Sequence, residues 1–489
     1  MRQIGIQDKS MKKKTTVIQY GGGNFLRGFA DYMIDVANEQ GVFDGGIAII
    51  KPTSGGSLSS FENQDSTYTV ILRGLENGEK VVKSRIISSI NEAINPFTHY
   101  DRYLNLAKNK DLRFVISNTT EAGIVCDETD LFDQKPASSF PGKLTQFLYE
   151  RYIHFGGAKD CGLIILPTEL IEDNGTKLQN CVNKLITLWN LPKTFATWIN
   201  DNCIFCNSLV DRIVSGYPTD EAETLERDML GYRDELLVVG EPFGLWVIES
   251  PRFKDVQQAF PLDSADMPVV FTDNLRPYRE RKVYILNGAH TSTVFAAFLA
   301  GLDIVSEAMT DKTIRVFMEK AVYEEIAPTV PLPKDEVLNF ANSVMERFEN
   351  PFIKHALLSI ALNSVSKWKT RILPSLKNSF ATNGKLPACL TFSLATLATF
   401  YRNSTQGNGC LIGRRGDDVY EIRDDVNVLA FFTEYATSPT DKFIHAFLGN
   451  TDFWGEDLNA LGDMTAYVTR YYDDIEKNGI RAAILAVLE

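Results

Sequence analysis

Residues 15–29 read TTVIQYGGGNFLRGF, and this stretch decides the predicted fold of the first half of the chain. Thr15 to Tyr20 is a short apolar and β-branched run, which predicts a buried strand. Three glycines follow it, and apolar residues at helical spacing then continue from Phe25 to about Glu39. Residues 45–50 (GGIAII) predict a second buried strand. The order of strand, glycine turn, helix and strand is that of a βαβ unit.

The rest of the chain shows two different patterns of predicted secondary structure. Further strands are predicted at residues 68–72, 81–87, 113–117 and 162–166, with helical stretches such as 143–154 between some of them. This alternation predicts a mostly parallel sheet covered by helices. From about Arg276 helical patterns dominate, at residues 282–302, 313–326, 333–348, 355–373 and 389–401. We therefore predict an α/β fold, with a parallel-sheet domain over residues 1–275 and a mainly α-helical domain over residues 276–489.

Composition and net charge limit the kinds of molecule that the protein is expected to bind. The 489 residues carry a formal net charge of -13, which argues against nucleic acid or an anionic membrane surface, because either would require a concentrated basic face. No stretch approaches the roughly 20 apolar residues of a membrane span. The basic residues 12–14 are not followed by an apolar run of signal-peptide length, so we expect a cytoplasmic protein with a small-molecule ligand.

Seven scattered cysteines suit reduced thiols better than a disulfide framework. The pair Cys203 and Cys206 forms a CxxC motif, which can be redox-active or bind zinc. It can also be purely structural. We favour the structural interpretation, because no second pair and no histidine cluster lies at ligand spacing, and we predict no metal.

The glycine turn is a candidate phosphate-binding site. Glycines at a strand-to-helix junction let the backbone approach a pyrophosphate, although a purely structural turn would use glycines in the same way. The spacing departs from GxGxxG, since the next small residue after the three glycines is Gly28. The second strand ends in Ile-Ile-Lys51-Pro, without the acidic residue that usually binds the adenosine ribose. Lys51 is either a solvated surface residue or a partner for a 2′-phosphate, so NAD is our prediction and NADP stays open.

Lys282, Asn287 and His290 form the first candidate catalytic group. On a helix, positions five and eight residues after a lysine share a broad face with it. A lysine partly removed from water can exchange a proton with a carbonyl oxygen, and an asparagine can donate to the same oxygen. The alternatives are a solvated lysine and a histidine that only packs.

Two further charged groups could contact a substrate. Asp211 and Arg212 lie side by side after an apolar run, either as an ion pair or as part of a site. Lys367, Lys369 and Arg371 form a basic cluster at the end of a helical pattern. There they either complement the negative end of the helix dipole or bind a substrate carboxylate.

Taken together, these segments resemble the mannitol dehydrogenase family of long-chain, zinc-independent polyol and uronate dehydrogenases. The resemblance covers nearly the whole chain. It implies a Rossmann-like dinucleotide-binding domain over residues 1–275 and a mainly α-helical substrate and catalytic domain over residues 276–489. Its most specific stretches are IQYGGGNFLRGF from Ile18, NTTEAGI from Asn118, ELIEDNG from Glu169, NSLVDRIVSGYP from Asn207, PYRERKVYILNGAHT from Pro277 and NPFIKHALLSIALNS from Asn350.

The resemblance implies a role for each matching residue. Lys282, Asn287 and His290 match the family's K-x4-N-x2-H motif, which implies that Lys282 is the general acid and base. Asn174 matches the second asparagine of a carbonyl-polarising pair. Asp211 and Lys367 match substrate-contacting positions, while Ser359 replaces a family arginine. The dinucleotide contacts are implied for Ile18, Gly21, Gly22, Gly23, Asn24, Phe25, Leu26, Arg27, Asn118 and Glu121.

The resemblance also implies the reaction. We expect reversible hydride transfer between NAD and a sugar substrate. The missing arginine at Ser359 fits a changed substrate, which we expect to be a keto-uronate. We expect Arg371 or Lys369 to pair with its carboxylate. A fructuronate reductase or a polyol dehydrogenase is the alternative within the family, and a cofactor-binding protein without turnover is the alternative outside it.

Overall fold

The computed structural model of the chain describes residues 2–5, 13–120 and 122–489. It forms two compact units, the first ending at Leu275 and the second spanning Arg276–Glu489. The first is built around a parallel β-sheet and the second is mainly α-helical, which confirms the predicted fold class. Within the described ranges, none of the helices is long and apolar enough to cross a membrane.

The central element of the first unit is a six-stranded parallel sheet. In spatial order its strands are Ile90–Ile94, Gly46–Ile50, Thr15–Tyr20, Phe114–Ser117, Ile164–Pro167 and Ile204–Phe205. Numbered by sequence, this is the order 3-2-1-4-5-6 of a Rossmann fold. The order reverses at Thr15–Tyr20, which pairs with a strand on each side and leads into the glycine turn. Ligands bind at such reversal points, beyond the carboxyl ends of the strands.

Apolar residues cover both faces of this sheet. Along neighbouring strands, Val17 and Ile49 pack into one buried cluster, whereas Ile18 and Ile50 pack into another on the opposite face. Because consecutive side chains of a strand point to opposite faces, a sheet buried on both sides requires apolar residues at every position. This explains why the strands are continuous apolar runs in the sequence.

The strands predicted at residues 68–72 and 81–87 belong to a different sheet. Tyr68–Glu76 and Glu79–Ile87 form an antiparallel hairpin, whose turn residues Asn77 and Gly78 have φ of 53° and 78°. Two positive φ values are typical of a type I′ turn. The expectation that these strands extend the parallel sheet is wrong, because the turn reverses the chain at once and a parallel crossover requires a dozen or more residues.

Smaller sheets complete the first unit. The hairpin is extended by Val238–Gly240 and Val214–Gly216, and a separate three-stranded sheet comprises Asn207–Asp211, Leu245–Glu249 and Val269–Thr272. Arg2–Gln3 pairs with Tyr232–Arg233. The α-helices are Asn24–Gly28, Ala30–Glu39, Ser59–Asn63, Tyr100–Asn105, Phe140–His154, Asn174–Leu188, Lys193–Asn202, Ala222–Leu225 and Phe253–Ala259. The helix predicted from Phe25 is therefore interrupted, at Phe29.

The second unit is a helical domain with one small sheet. Its α-helices are Arg276–Arg281, Gly288–Leu299, Val305–Thr310, Lys312–Lys320, Lys334–Phe348, Leu357–Ile360, Ser364–Arg371, Leu373–Asn383, Ala388–Arg402, Val426–Glu434, Thr440–Leu448, Thr451–Trp454, Met464–Asn478 and Ile480–Leu488. The antiparallel strands Ser404–Gln406, Leu411–Arg415 and Asp418–Ile422 lie in the polar, glycine-rich stretch after Asn403. Arg415 fixes this sheet by donating to the carbonyls of Phe298 and Leu302.

Three segments form π-helices, in which each N–H bonds to a carbonyl five residues earlier. They are Glu226–Leu230, Lys282–Asn287 and Ala321–Ile326. The predicted helix 282–302 therefore begins as a π-helix and becomes an α-helix at Gly288. Insertions of this kind often mark functional positions, and this one contains two of the predicted catalytic residues.

Candidate functional site

The glycine turn of the first unit has the geometry of a phosphate cradle. Gly21 has φ of +117°, and a Cβ there would lie 2.9 Å from the carbonyl oxygen of Asn118. At Gly23, in contrast, a Cβ would meet no atom within 4 Å. Gly28 packs its Cα against Val214 and Val238, where a Cβ would approach within 3.0 to 3.1 Å. The three glycines thus serve a tight turn, open access to the backbone and close packing, as in dinucleotide-binding turns.

Arg27 holds the turn from the inside. Its buried guanidinium donates to the carbonyl of Gly22 at 3.2 Å, to Asn24 Oδ1 at 2.7 Å and to the carbonyl of Leu236. It also lies over the ring of Tyr68, 5.4 Å from the centroid. Burial lowers the pKa of Arg27. These bonds rigidify the backbone on which a phosphate would rest.

The other predicted cofactor residues of this segment divide by exposure. Asn24 is exposed and Phe25 is half-buried, whereas Ile18 and Leu26 are buried in the core. The side chains of Ile18 and Leu26 pack beneath the turn, and contact of these two residues with a cofactor stays a prediction. Gly22 is restricted too, because a Cβ there would lie 3.1 Å from Ile49.

Asn118 follows the strand next to the turn. Its main-chain N–H donates to the carbonyl of Tyr20 at 3.1 Å, and its amide donates to Thr168. The neighbouring segment is fixed by Glu169, a buried carboxylate that accepts from Ser117 Oγ and from Thr119 N. Sequence reasoning did not single out Glu169 as a support of this loop. The predicted contact Glu121 lies outside the described residues.

Lys51 is not the solvated residue that we considered. It is buried, and its ammonium donates to the carbonyls of Ser54 and Gly56. These bonds close the loop after the second strand, where the acidic ribose partner is missing. The arrangement leaves the choice between NAD and NADP a prediction.

Asn174 is engaged by its own surroundings. The fully buried amide donates to the carbonyls of Pro167, Glu169 and Ser208 at 3.0 to 3.2 Å, and its oxygen accepts from Gly175 N and Ser208 N. These contacts support a structural role that joins the helix start to two strands. A role for Asn174 in polarising a substrate carbonyl stays a prediction, and it would require one of these bonds to be exchanged.

Asp211 ends a strand of the first unit and is buried. The adjacent Arg212 donates to the carbonyls of Gly28, Phe243 and Pro242, and burial lowers its pKa to about 10. The bond to Gly28 connects Arg212 to the glycine-turn helix. Arg212 therefore supports the fold around the turn.

The predicted catalytic residues of the second unit lie on the π-helix and the turn that follows it. Lys282 and Asn287 occupy the two ends of Lys282–Asn287 and are half-buried. In an α-helix, residues five apart diverge by about 140°, whereas the wider π-turn brings such residues toward one side. His290 follows in the first turn of Gly288–Leu299. The backbone thus provides a physical reason for the five-residue spacing of the motif.

His290 is half-buried and lies against rings and positive charges. Its ring stacks on Phe348 with centroids 4.2 Å apart and meets His355 edge-on at 5.1 Å. Burial lowers the pKa of His290 well below 6.5, and His355, Arg347, Arg371 and Lys367 lower it further. The imidazole is therefore neutral. Its Nε2 atom is buried without a hydrogen-bond partner among the described residues.

Lys367 and Arg371 lie one helical turn apart near His290. The Lys367 ammonium donates to the carbonyl of Ile360 at 2.9 Å, and the Arg371 guanidinium donates to Thr291 Oγ1 at 3.3 Å. Burial lowers the pKa of both groups, and Arg371 contributes to the shift of Lys367. Lys369 lies elsewhere, since a Cβ on Gly455 would meet its Nζ at 3.2 Å. Of the two residues predicted to pair with a carboxylate, Arg371 is therefore the one that lies near His290.

We call His290, Arg347, His355, Lys367 and Arg371 the basic cluster. Sequence reasoning named three of its members and missed Arg347 and His355. Both residues lie outside the K-x4-N-x2-H motif. His355 falls in the family-like segment that begins at Asn350, whereas Arg347 lies just before that segment. Arg347 is buried on Lys334–Phe348, the helix that also supplies Phe348.

The CxxC thiols are unsuited to metal or redox chemistry. Cys203 and Cys206 are both buried and unbridged, and burial raises the pKa of each to about 12. A protonated thiol is a poor nucleophile and a poor ligand. Among the described residues, no group of three or more His, Cys, Asp or Glu side chains could hold a metal ion.

Comparison with known proteins places these features in a family. The model of the mannitol dehydrogenase Rossmann domain matches residues 15–261, and that of the mannitol dehydrogenase C-terminal domain matches residues 274–476. The chain is 44% identical over 477 residues to an altronate oxidoreductase of Yersinia enterocolitica and 46% identical over 475 residues to one of Enterobacter sp.. Each alignment covers 96% of both proteins.

Solved structures agree in fold. A D-sorbitol dehydrogenase in substrate-free form aligns with a TM-score of 0.77 at 20% identity, covering 98% of this chain and 96% of its own. The Pseudomonas fluorescens mannitol 2-dehydrogenase ternary complex with NAD and D-mannitol aligns with a TM-score of 0.64 at 20% identity, covering 100% and 97%. Together with the two family models, which span most of its length, these matches show that the chain belongs to the mannitol dehydrogenase family and is a dehydrogenase acting on CH–OH groups.

Proposed function

We propose that the protein catalyses the reversible reduction of D-tagaturonate to D-altronate with NADH. The observation that carries this proposal is the 44 to 46% identity to altronate oxidoreductases over 96% of the chain. The basic cluster supports it independently, because a site for a sugar acid requires positive groups that a site for a neutral polyol does not. We further propose a cytoplasmic location.

The glycine turn fits a nicotinamide dinucleotide. Open space above Gly23 and the left-handed backbone at Gly21 allow a pyrophosphate to approach the main chain, and Arg27 keeps that backbone in place. We propose that this turn, with Asn24, Phe25 and Asn118, binds the cofactor. When bound, NADH would supply a hydride to the keto carbon of the substrate.

The second unit would supply the proton. As hydride arrives, negative charge develops on the carbonyl oxygen, and we assign Lys282 as the general acid that protonates it. Asn287 would donate a hydrogen bond to the same oxygen, which lowers the energy of the developing alkoxide. The Nε2 atom of the neutral His290 has no hydrogen-bond partner within the described part of the chain, so it is suited to orient a substrate hydroxyl or the reacting oxygen. In the oxidative direction Lys282 would act as the base.

Substrate binding is assigned to Lys367, Arg371 and Asp211. An ammonium has three protons, and the bond to Ile360 uses one of them, so Lys367 retains donors for a ligand. Arg371 likewise has a planar fork of donors suited to a carboxylate. The Asp211 carboxylate would accept hydrogen bonds from substrate hydroxyls.

The experiment that tests this proposal is an initial-rate assay that follows NADH absorbance. Purified protein is given D-tagaturonate, D-fructuronate or D-fructose, each with NADH or NADPH. We expect rapid NADH oxidation with D-tagaturonate only. Activity confined to D-fructuronate or D-fructose would assign the chain to another dehydrogenase of the family, and no activity with any of them would refute the proposal.

A further inference from the structure

His355 lies at a fixed position beside His290. It precedes the short helix Leu357–Ile360, and its carbonyl accepts from Val305 N at 3.0 Å. The adjacent Leu357 N donates to the carbonyl of Asp303 at 2.8 Å, and Ile304 forms a bridge with Ala356. Backbone bonds on both sides therefore hold this residue in place, although it lies in a connecting segment.

The side chain of His355 contacts His290 within the basic cluster and remains partly exposed to solvent. Its ring meets that of His290 almost at right angles, at 86° and 5.1 Å, while Phe348 stacks on His290 at 22°. His355 itself is half-buried. An imidazole in this position can donate a hydrogen bond to a molecule that reaches the cluster from solvent.

Positive charges act on His355 and on its neighbour Lys367. Burial and Lys367 both lower the pKa of His355, and Arg371 contributes in the same way to the lowered pKa of Lys367. The carboxylate of Asp424 raises the pKa of Lys367, but it already accepts from Tyr401 Oη at 2.6 Å and from Val365 N at 3.3 Å. An anionic ligand would relieve this repulsion, whereas a neutral ligand would not.

We propose that His355 is a specificity-determining residue that donates a hydrogen bond to the substrate carboxylate, alongside Lys367 and Arg371. This inference rests on the proposed function, since it names the group that distinguishes a sugar acid from a neutral sugar at the same site. His355 binds the carboxylate and takes no part in proton transfer at the reacting carbon. Its contribution is equal in the ground state and the transition state, so it affects KM and leaves kcat unchanged.

The test compares His355→Ala, His355→Gln and wild type. A hydrogen bond to a charged group is worth about 10- to 100-fold in affinity. We expect His355→Ala to raise KM for D-tagaturonate by about this factor with kcat within about twofold. His355→Gln retains a neutral donor and should give an intermediate KM. His445→Ala, which alters an exposed histidine of the same unit outside the cluster, is the matched control and should behave as wild type.

Calorimetry separates this inference from the proposed function. Binding of D-altronate is compared with that of D-altritol, which carries a hydroxymethyl group in place of the carboxylate. We expect His355→Ala to weaken D-altronate binding and to leave D-altritol binding unchanged. Equal loss for both ligands, or an unchanged KM for D-tagaturonate in a variant with wild-type thermal stability, overturns the inference. If wild-type protein neither binds D-altronate nor turns over D-tagaturonate, the proposed function itself fails.

Discussion

Replacing Arg371 by alanine should weaken binding of the sugar acid without weakening the fold. The guanidinium is half-buried, it donates to Thr291 Oγ1 at 3.3 Å, and burial lowers its pKa. It also lowers the pKa of Lys367 and of His290. In the absence of substrate, Arg371 repels the neighbouring Lys367 ammonium, so its removal relieves repulsion as well as removing packing.

The magnitudes follow from these contacts. Charge-assisted hydrogen bonds contribute about 1.5 to 3 kcal/mol, so Arg371→Ala should raise KM for D-tagaturonate by about 10- to 100-fold. The free energy of unfolding should change by less than about 1 kcal/mol, because lost packing and relieved repulsion oppose each other. Initial-rate kinetics and urea unfolding measure the two quantities on the same preparation.

Lys369→Ala is the control for this prediction. Lys369 lies two residues away on the same helix, but its ammonium lies against Gly455. Its removal should leave KM within about twofold of wild type. An unchanged KM in Arg371→Ala, or an equal rise in both variants, would refute the assignment of Arg371 to the carboxylate.

Three further predictions concern proton transfer, the glycine turn and pH. Lys282→Ala should reduce kcat by about 10²- to 10⁴-fold while NADH binding, followed by fluorescence titration, stays near the wild-type value; normal turnover would exclude Lys282 as the acid. Gly21→Ala should lower the free energy of unfolding by at least about 1 kcal/mol because of its φ of +117°. Gly23→Ala should weaken NADH binding at near-normal stability. If urea unfolding showed Gly23→Ala to be less stable than Gly21→Ala, the result would contradict the turn geometry. Burial holds the pKa of His290 and of His355 below 6.5 in the folded protein. Because the unfolded chain therefore binds more protons, the free energy of unfolding should fall as pH drops below about 6.5. An unfolding free energy that does not change from pH 7.5 to 5.5 would contradict these environments.

The Rossmann unit was predictable because its signals are local. A strand, a glycine turn and a helix lie in consecutive residues, and both faces of the sheet are buried, so the strands appear as apolar runs. The hairpin at residues 68–87 was misplaced although Asn77-Gly78 is a strong turn signal. Apolar content predicts a strand, but sheet membership depends on the connection, which here reverses the chain at once.

The basic cluster could be predicted only in part. Its member His290 shares one motif with Lys282 and Asn287, which lie outside the cluster, so the proximity of these three residues follows from local helix geometry. His355 and Arg347 reach His290 through packing of separate helices and segments, and no spacing rule connects positions 55 or more residues apart. The π-helix was also beyond sequence patterns, because apolar periodicity does not distinguish one widened turn from an α-helix.

The hydrogen-bond partners of buried polar residues are also hard to predict from sequence. Lys51 and Asn174 are polar residues for which a ligand was a reasonable expectation, yet both donate to main-chain carbonyls. Their partners lie on loops and strands that come together only in the folded unit. A polar residue in a motif therefore indicates a site only after its local hydrogen bonds are known.

The most direct test of the central claim is the ratio of kcat/KM for D-tagaturonate to that for D-tagatose, with NADH and wild-type protein. The two ketoses differ in whether the terminal carbon is a carboxylate or a hydroxymethyl group. If the basic cluster recognises a sugar acid, the ratio should be at least about 100, as expected for two or more charge-assisted bonds. A ratio near one would show that the carboxylate is not recognised and would contradict both the proposed substrate and the role of the cluster.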